Sequence, residues 1–369
     1  MKKSLLALAV LGSFAGTASA QTSLSVYGLA DAGLVRESGG PNNAAVTKLT
    51  SGIQNGSRLG FKGTEDLGRG LAAKFVLEAG INIDEGTSGQ TTPAVPAGVP
   101  RFTTRSATNR LFGRQAYVGL SSNWGNVTFG RQYTPHYLAL GDIDPFGVGL
   151  AGNAANFIPT ILRMDNSIKY TTPTWSGFTA DVAYALGEVP DNTSARLQYG
   201  ASVGYANGPL IVKVAYHRAN GDLPEGAFPS GPPGTPGLIS GIPLGETSKN
   251  WLIGAKWDFG VAAASLAFDS NKGGGTLSRD TRDWLIGVSV PYGPTTFLAS
   301  YIKKNDRGDT GADAKQWALG LTYAVSKRTN FYTSFGRVSN DLDTIYTAGN
   351  ATERGIGDKQ FNVGVRHIF

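Results

Sequence analysis

Charged side chains alternate with apolar ones in a short segment near the start of the chain. Leu59 and Phe61 share one parity, which leaves Arg58 and Lys62 on the other. Successive side chains of an extended chain point to opposite faces, so the basic groups lie on a water-facing side of the strand and the apolar groups on the other side. Fixed charges lining a narrow, water-filled gap would act on the ions that pass them.

The segment 71–82 repeats the pattern. Phe75 and Leu77 occupy one face, and Lys74 and Glu78 occupy the other. If the apolar face meets hydrocarbon, Lys74 and Glu78 face water on the inside of the same wall.

Around Arg114 the parity is ambiguous, because Arg114 shares its side with Val118 and Leu120. A lipid-facing arginine at the middle of a bilayer costs about 2–4 kcal/mol. We therefore expect Arg114 to point inward and Tyr117 to point outward.

The three histidines do not form a catalytic or metal-binding pattern. His136, His217 and His367 have no metal partner at helical or paired-ligand spacing, and no Gly-x-Ser-x-Gly elbow occurs. The glycine run 273–275 lacks the lysine of a phosphate loop. The sequence thus predicts a protein that is not an enzyme and has no metal or cofactor.

The first twenty residues have the pattern of a secretory signal peptide. Lys2 and Lys3 give a positive start, 5–12 form an apolar core, and Ala18-Ser19-Ala20 is a small-residue exit. The apolar core is shorter than the roughly 20 residues of a spanning helix, so a membrane anchor is the weaker alternative. We expect a signal peptide at 1–20 and one domain at 21–369.

Composition narrows the class further. The chain has no cysteine, 51 glycines and 41% hydrophobic residues, so it has no disulfides and too few consecutive apolar residues for a large dry core. Its formal charge of +6, lower by two without Lys2 and Lys3, is small for a nucleic-acid binder, and we expect no nucleic acid as partner.

Segments of about ten residues with alternating apolar and polar side chains fill the chain beyond the leader. We count sixteen, an even number that returns both chain ends to one side of a membrane. They cover 22–35, 51–63, 71–82, 110–122, 126–135, 164–172, 178–186, 199–207, 210–220, 249–260, 261–272, 282–293, 295–306, 315–326, 330–341 and 358–369.

Short and long connections alternate between these segments. Tight turns such as 123–126 and 175–177 alternate with long, Gly- and Pro-rich connectors such as 83–109 and 221–248. Outer-membrane barrels have short periplasmic turns and long extracellular loops. The pattern predicts an all-β fold, a transmembrane 16-stranded antiparallel β-barrel, with aromatic residues near segment ends forming interfacial girdles. These are Trp124, Tyr133, Tyr170, Trp175, Tyr292, Tyr323 and Phe331.

The chain ends in a strand-like segment that closes on Phe369, with Phe361, Val363 and Val365 on the same face. Such an ending resembles the signal by which barrel assembly machinery recognises outer-membrane proteins. Together with 25–28, 57–68, 113–120 and 127–131, it makes the chain similar to trimeric Gram-negative general-diffusion porins, in particular their β-proteobacterial branch.

The resemblance implies a homotrimer in which the third external loop, here 136–163, folds into the pore and constricts it. It also implies that 83–109 reaches over the neighbouring barrel as a latch. Within the third loop, Asp142 and Asp144 lie where family members carry Pro-Glu-Phe-Gly-Gly, although here the acid precedes the proline and Val148 replaces the second glycine.

Carried over by position, Arg58, Arg114 and Arg163 match the basic ladder of the family, and Asp142 and Asp144 form an acidic wall opposite it. Strand position adds Arg131, Lys62 and Lys74 to the candidate basic residues. Charges facing each other across a constriction would set ion preference. The alternative is that each arginine is a strand-end charge or pins the loop through a salt bridge.

These features predict a passive porin with mild anion preference for ions and small hydrophilic solutes. Outer-membrane lipid and lipopolysaccharide would surround it. Two alternatives stay open: a substrate-specific channel, and a non-conducting barrel that is an adhesin or an outer-membrane enzyme.

Overall fold

The structure of the chain is a computed structural model, which describes residues 23–39, 44–89, 110–221, 247–273, 279–308, 311, 313–341, 346–349 and 357–369. The predicted signal peptide and most of the predicted latch lie outside these ranges. Among the described residues, no helix is long and apolar enough to cross a membrane.

All strand pairings are antiparallel, and the strands follow one another around the sheet in chain order. The strands are β1 Ser23–Gly39, β2 Ala44–Ser51, β3 Arg58–Gly68, β4 Leu71–Asn82, β5 Thr87–Ser88, β6 Gln115–Ser122, β7 Gly125–Tyr133, β8 Arg163–Thr171, β9 Phe178–Ala185, β10 Gln198–Asn207, β11 Leu210–Asn220, β12 Thr247–Asp258, β13 Ala263–Gly273, β14 Arg279–Tyr292, β15 Thr295–Asp306, β16 Ala314–Ala324, β17 Thr329–Asn340 and β18 Lys359–Ile368. Helix α1 spans Pro135–Ile143, and a 3-10 turn spans Ala154–Asn156.

The sheet closes on itself because β1 pairs with β18 from Leu29↔Ile368 to Ser38↔Lys359. β2 and β3 pair with successive parts of β1, so they are two halves of one barrel strand. The two-residue β5 only extends the β4 end. Without β5, and with β2 and β3 as one strand, the 18 segments form a closed 16-stranded barrel, as predicted.

The break between β2 and β3 differs from the predicted single strand over 51–63. The Asp31 carboxylate accepts hydrogen bonds from the amides of Gln54 (2.8 Å) and Asn55 (2.6 Å) and from the Tyr332 hydroxyl (2.6 Å). These bonds replace strand pairing over 52–57, so the chain bends toward the lumen just before Arg58.

Opposite faces of the strands meet different surroundings. On β12, Trp251 and Ile253 are more than half exposed, while Asn250 and Leu252 are buried on the inner face. The same alternation recurs from β10 to β18. The outer face is therefore an apolar belt suited to lipid, and the inner face carries the polar groups.

Candidate functional site

The segment 134–162, which connects β7 to β8, folds into the barrel, as predicted for the third loop. Thr134 caps α1 by accepting a hydrogen bond from the Tyr137 amide (3.1 Å), and Pro135 fits the first helical turn. The Thr134 hydroxyl donates to the Ile161 carbonyl (2.5 Å). Both ends of the loop are thus tied together at its base.

The loop docks on the inner wall formed by β11 to β17. The side-chain amide of Asn250 donates to the Pro159 carbonyl (2.6 Å). The backbone amide of Ala151 donates to the Ser334 hydroxyl (3.0 Å). Apolar side chains from the loop and the wall form one buried cluster, which includes Leu140, Ile143, Phe157, Ile158, Leu252, Leu285 and Ile302. Burial of this cluster excludes water from that half of the barrel.

Glycines on the wall leave room for the loop to approach. A Cβ at Gly287 would lie 2.4 Å from Pro145 Cγ, and a Cβ at Gly320 would lie 2.7 Å from Phe146 Cε1. Any side chain at these two positions would push the loop toward the lumen.

The loop tip also contacts the broken strand. The Leu150 amide donates to the Ile53 carbonyl (2.8 Å), in the break between β2 and β3. The loop therefore follows the inner wall from β11 round to the β2 side, and the open part of the lumen lies along the remaining wall.

Asp144 does not form a charged wall in the lumen. Its side chain is buried, and its carboxylate accepts hydrogen bonds from the amides of Phe146 (3.0 Å), Val148 (2.9 Å) and Ala154 (3.1 Å). Burial raises the pKa of Asp144 to about 6, although the three bonds oppose the shift. The expectation that Asp144 lines the pore is wrong, because its carboxyl group is buried and accepts the amide hydrogen bonds that organise the turn after α1.

Asp142 lies on the exposed side of α1, with about half of its side chain accessible. Its carboxylate forms an ion pair with Lys213 of β11, at 2.8 Å. Lys213 therefore offsets the negative charge that Asp142 would otherwise present to the lumen.

The wall opposite the loop brings Arg58 and Arg114 together around Glu78. The Glu78 carboxylate accepts hydrogen bonds from Arg114 Nε (2.8 Å) and the Tyr27 hydroxyl (3.1 Å), and Arg58 Nη1 lies 3.9 Å away. Glu78 is buried. Its parity, shared with Lys74, predicts that it faces the lumen, but no sequence pattern indicates that it joins the two arginines.

Tyr133 connects the third arginine to this group. Its hydroxyl accepts hydrogen bonds from Arg114 Nη2 (2.6 Å) and Arg163 Nη2 (2.9 Å), and the Arg163 guanidinium lies 4.5 Å from its ring centroid. Tyr133 also stacks on Tyr137 of α1, at 5.4 Å. We name Arg58, Arg114, Arg163, Glu78 and Tyr133 the arginine cluster. It carries three positive charges against one carboxylate.

The predicted girdle role of Tyr133 is wrong, because its hydroxyl binds the two arginines. Trp124, Trp175, Tyr292, Tyr323 and Phe331 are exposed, as an outer girdle requires.

Two predictions about the strand that follows Arg114 have different outcomes. Arg114 points into the arginine cluster, as expected, but it precedes β6, where strand parity does not apply. Tyr117 lies opposite Val76 in the register of β4 and β6, and Gln115 lies opposite Glu78. Tyr117 is two residues from Gln115 on the same strand, so it shares the inner face with Glu78 and Gln115. The expectation that Tyr117 faces lipid is wrong.

The remaining predicted basic residues lie apart from the arginine cluster. Arg131 Nη1 pairs with Asp165 (2.5 Å), which also binds Arg110 Nη2 (3.0 Å), so Arg131 belongs to a separate ion-pair group. Lys62 lies over the Tyr27 ring, and Lys74 donates to Asn126 Oδ1 (2.8 Å). Both lysines are nearer to the short turns than Arg58 is.

Among the described residues, no group of three or more His, Cys, Asp and Glu side chains could hold a metal ion. The arrangement offers a narrowed lumen with arginines on one side and the docked loop on the other.

Comparison with known proteins gives consistent matches. A family model described as Gram-negative porin matches residues 7–343. An outer membrane porin protein of Bordetella pertussis is 33% identical over 297 residues, which cover 73% of this chain and 69% of the relative. Outer membrane porin protein 32 of Delftia acidovorans is 35% identical over 231 residues, covering 58% of this chain and 59% of the relative.

Solved structures agree with the fold. An anion-selective porin from Comamonas acidovorans superposes with a TM-score of 0.74 at 25% identity, covering 95% of this chain and 100% of that chain. The outer membrane protein OmpT of Vibrio cholerae superposes with a TM-score of 0.66 at 17% identity, covering 94% of this chain and 98% of that one, which supports the fold alone.

Proposed function

This chain belongs to the Gram-negative porin family and is an outer-membrane porin, and from that premise we propose that it is a passive diffusion channel with a mild preference for anions. The observation that carries the preference is the arginine cluster, in which Arg58, Arg114 and Arg163 converge opposite the docked loop.

Charge at a constriction acts on ions because the low-dielectric walls focus the field into the remaining water. Glu78 compensates one of the three arginines, and Lys213 compensates Asp142. The excess of positive charge favours anions. The preference is mild because Glu78 offsets part of that charge. The solutes are ions and small hydrophilic molecules moving down their gradients, and the proposal contains no catalytic step.

Reversal-potential measurement across a KCl gradient in a planar bilayer tests the proposal. We expect chloride to permeate better than potassium in the wild type, and the preference to fall in an Arg58→Gln, Arg114→Gln variant. Lys327→Gln with Arg328→Gln, in the exposed turn between β16 and β17, removes the same charge and should leave selectivity unchanged. A clear cation preference of the wild type would contradict the proposal.

The same recording separates the alternatives. A substrate-specific channel would show conductance that one solute class blocks at low concentration, and a non-conducting barrel would show no steps. The porin assignment predicts open steps without such a block.

Assembly is part of the proposal. We infer a homotrimer, exported with cleavage after the leader 1–20 and inserted by barrel assembly machinery that recognises the Phe369 end. Phe369 pairs with Gly28 of β1, where the barrel closes, through two backbone hydrogen bonds of 3.0 and 3.1 Å. Its side chain is half exposed on the outer face of the barrel. Conductance steps in groups of three and cross-linked trimers in detergent would support the trimer, and monomers alone would contradict it.

A further inference from the structure

The first barrel strand faces a much longer stretch of its neighbour at one point. β2 ends with Ser51 opposite Ala32, and β3 begins with Arg58 opposite Leu29. Two residues of β1 therefore lie opposite the six residues 52–57, which we name the strand break. An insertion of this size disrupts the ladder, so its backbone groups need partners other than the regular strand pairing.

The strand break folds around Asp31, which is fully buried. The Asp31 carboxylate accepts hydrogen bonds from the amides of Gln54 and Asn55, in the middle of the break. The Asp31 backbone carbonyl accepts hydrogen bonds from the Gly52 amide (2.8 Å) and the Ser57 hydroxyl (2.9 Å), at its two ends. One residue of β1 thus holds the start, the middle and the end of the strand break.

On one side, the strand break contacts the arginine cluster. Arg58 follows it directly, and Arg58 Nε donates a hydrogen bond back to the Gly56 carbonyl (3.1 Å). A Cβ at Gly56 would lie 2.7 Å from Arg114 Nη1, so the break also passes close against the second arginine. The position of the strand break therefore determines where these two guanidinium groups lie.

On the other side, the strand break contacts the tip of the docked loop. Ile53 is buried in one apolar cluster with Phe146 and Leu150 of the loop. Tyr332 belongs to the same cluster, and its hydroxyl donates to the Asp31 carboxylate (2.6 Å). The strand break is thus fixed between the loop tip and the arginines, with Asp31 at its centre.

From these contacts we propose that Asp31 is a positioning residue for ion preference, which holds the strand break so that Arg58 and Arg114 keep their places at the constriction. Asp31 is buried and does not line the ion path, so it acts through the arginines. The inference rests on the proposed anion preference, and it names a residue outside the arginine cluster on which that preference depends.

A positioning role and a purely electrostatic role of Asp31 predict opposite results for Asp31→Ala. If the carboxylate acted only through its charge, its loss would make the lumen more positive and raise the chloride-to-potassium permeability ratio. If it positions Arg58, its loss releases the strand break, the guanidinium leaves its place, and the ratio falls. Because the energy between two charges halves when their separation doubles, we expect a fall of roughly threefold.

The variant Asp31→Asn separates geometry from charge. The oxygen of its side-chain amide can accept from the Gln54 and Asn55 amides, while its nitrogen donates to the Tyr332 hydroxyl, which is both donor and acceptor. The three contacts of the carboxylate are kept and its charge is lost. We expect a permeability ratio at or above that of the wild type, and a fall as large as in Asp31→Ala would overturn the proposal.

A double variant tests whether Asp31 acts through Arg58. In an Arg58→Gln background there is no charge at position 58 left to place, so the addition of Asp31→Ala should lower the ratio less than it does in the wild type. Independent sites have additive effects, whereas coupled sites do not. Fully additive effects of the two substitutions would overturn the proposal.

The ratio is measured from reversal potentials across a KCl gradient, in channels that have folded and inserted. A variant that only loses stability gives fewer channels with an unaltered ratio, so the measurement separates positioning from stability. Asp258→Ala, at the exposed end of β12, is the matched control and should keep the wild-type ratio. An unaltered or raised ratio in Asp31→Ala, with a wild type that prefers chloride, overturns this inference alone, whereas a wild type that prefers potassium contradicts the proposed function.

Should Asp31→Ala fail to insert, Tyr332→Phe takes its place. This change removes one hydrogen bond from the Asp31 carboxylate and keeps the buried ring in the apolar cluster. We expect a smaller fall of the permeability ratio in the same direction, and an unaltered ratio would overturn the proposal.

Discussion

His136 Nε2 lies 2.8 Å from Asp269 Oδ2, and both side chains are fully buried between the docked loop and the barrel wall. The other imidazole nitrogen, Nδ1, lies 3.0 Å from Thr160 Oγ1, near the end of the same loop. His136 therefore joins the first turn of α1 to β13 and to the return segment of the loop. The constriction is held by a polar contact that spans 133 residues of sequence.

Removal of this contact should loosen the constriction. In Asp269→Ala, His136 loses its acceptor on the wall, and loss of one partner of such a buried pair costs about 3 kcal/mol. We expect larger and noisier single-channel currents. Asp258→Ala, at the exposed end of β12, is the matched control and should conduct as the wild type does. Currents of wild-type size and noise in Asp269→Ala would show that the apolar cluster alone holds the loop.

Neutralising Glu78 should strengthen anion preference. Glu78→Gln keeps an oxygen acceptor for Arg114 Nε but removes the carboxylate that offsets the arginine cluster. One unit charge a few ångströms from the ion path changes its energy by about 1 kcal/mol, which corresponds to a severalfold rise in the chloride-to-potassium permeability ratio. The ratio comes from reversal potentials. Glu65→Gln, an exposed change near the end of β3, should leave the ratio unaltered, and an unaltered ratio in Glu78→Gln would remove the cluster from the ion path.

A methyl group on the wall beneath the loop should displace the loop. Gly287→Ala would place Cβ 2.4 Å from the Pro145 ring, which is rigid, and overpacking of this kind costs about 1–3 kcal/mol. We expect a lower conductance, because the loop is pushed toward the opposite wall. In Gly141→Ala the nearest atom is 3.9 Å from the added methyl, so this control should conduct normally. Equal conductance in the two variants would refute the close fit.

Asp144 should make the loop more stable in acid. Its pKa in the folded protein is about 6, above the ordinary value of 3.8, so the folded loop binds the proton more tightly than the unfolded chain does. The resulting stabilisation is fully present below about pH 4 and is lost as the pH rises through 6, a change on the order of 3 kcal/mol.

Hydrogen-exchange protection of the Phe146, Val148 and Ala154 amides, corrected for intrinsic exchange, measures this change. Protection should be greater at pH 4.5 than at pH 7.5 in the wild type. Asp144→Asn cannot ionise and should show no such difference. Greater wild-type protection at pH 7.5 would mean that the three amide bonds outweigh the burial of the charge.

Local sequence pattern was sufficient for the barrel wall. Alternation places Trp251 and Ile253 outside and Asn250 inside, because the side-chain period of a strand is two whatever the strand pairs with. Turn residues and connector lengths then gave the number of strands and the end that carries the loops. The same reasoning failed at Tyr117, because its outward direction was inferred from the inward direction of Arg114, and Arg114 precedes β6, which begins only at Gln115.

The constriction required the tertiary structure. Asp142 and Asp144 are two residues apart and look equivalent in sequence, yet one pairs with Lys213 on a distant strand and the other is buried under backbone amides. Likewise, Glu78 and Tyr133 join three arginines that are far apart in the chain. The sequence by itself determined which residues face water and which face lipid, since that depends on neighbours one and two positions away. Only the closed barrel decided which charges meet and cancel, because electrostatic energy depends on distances in space between strands that the sequence does not place next to each other.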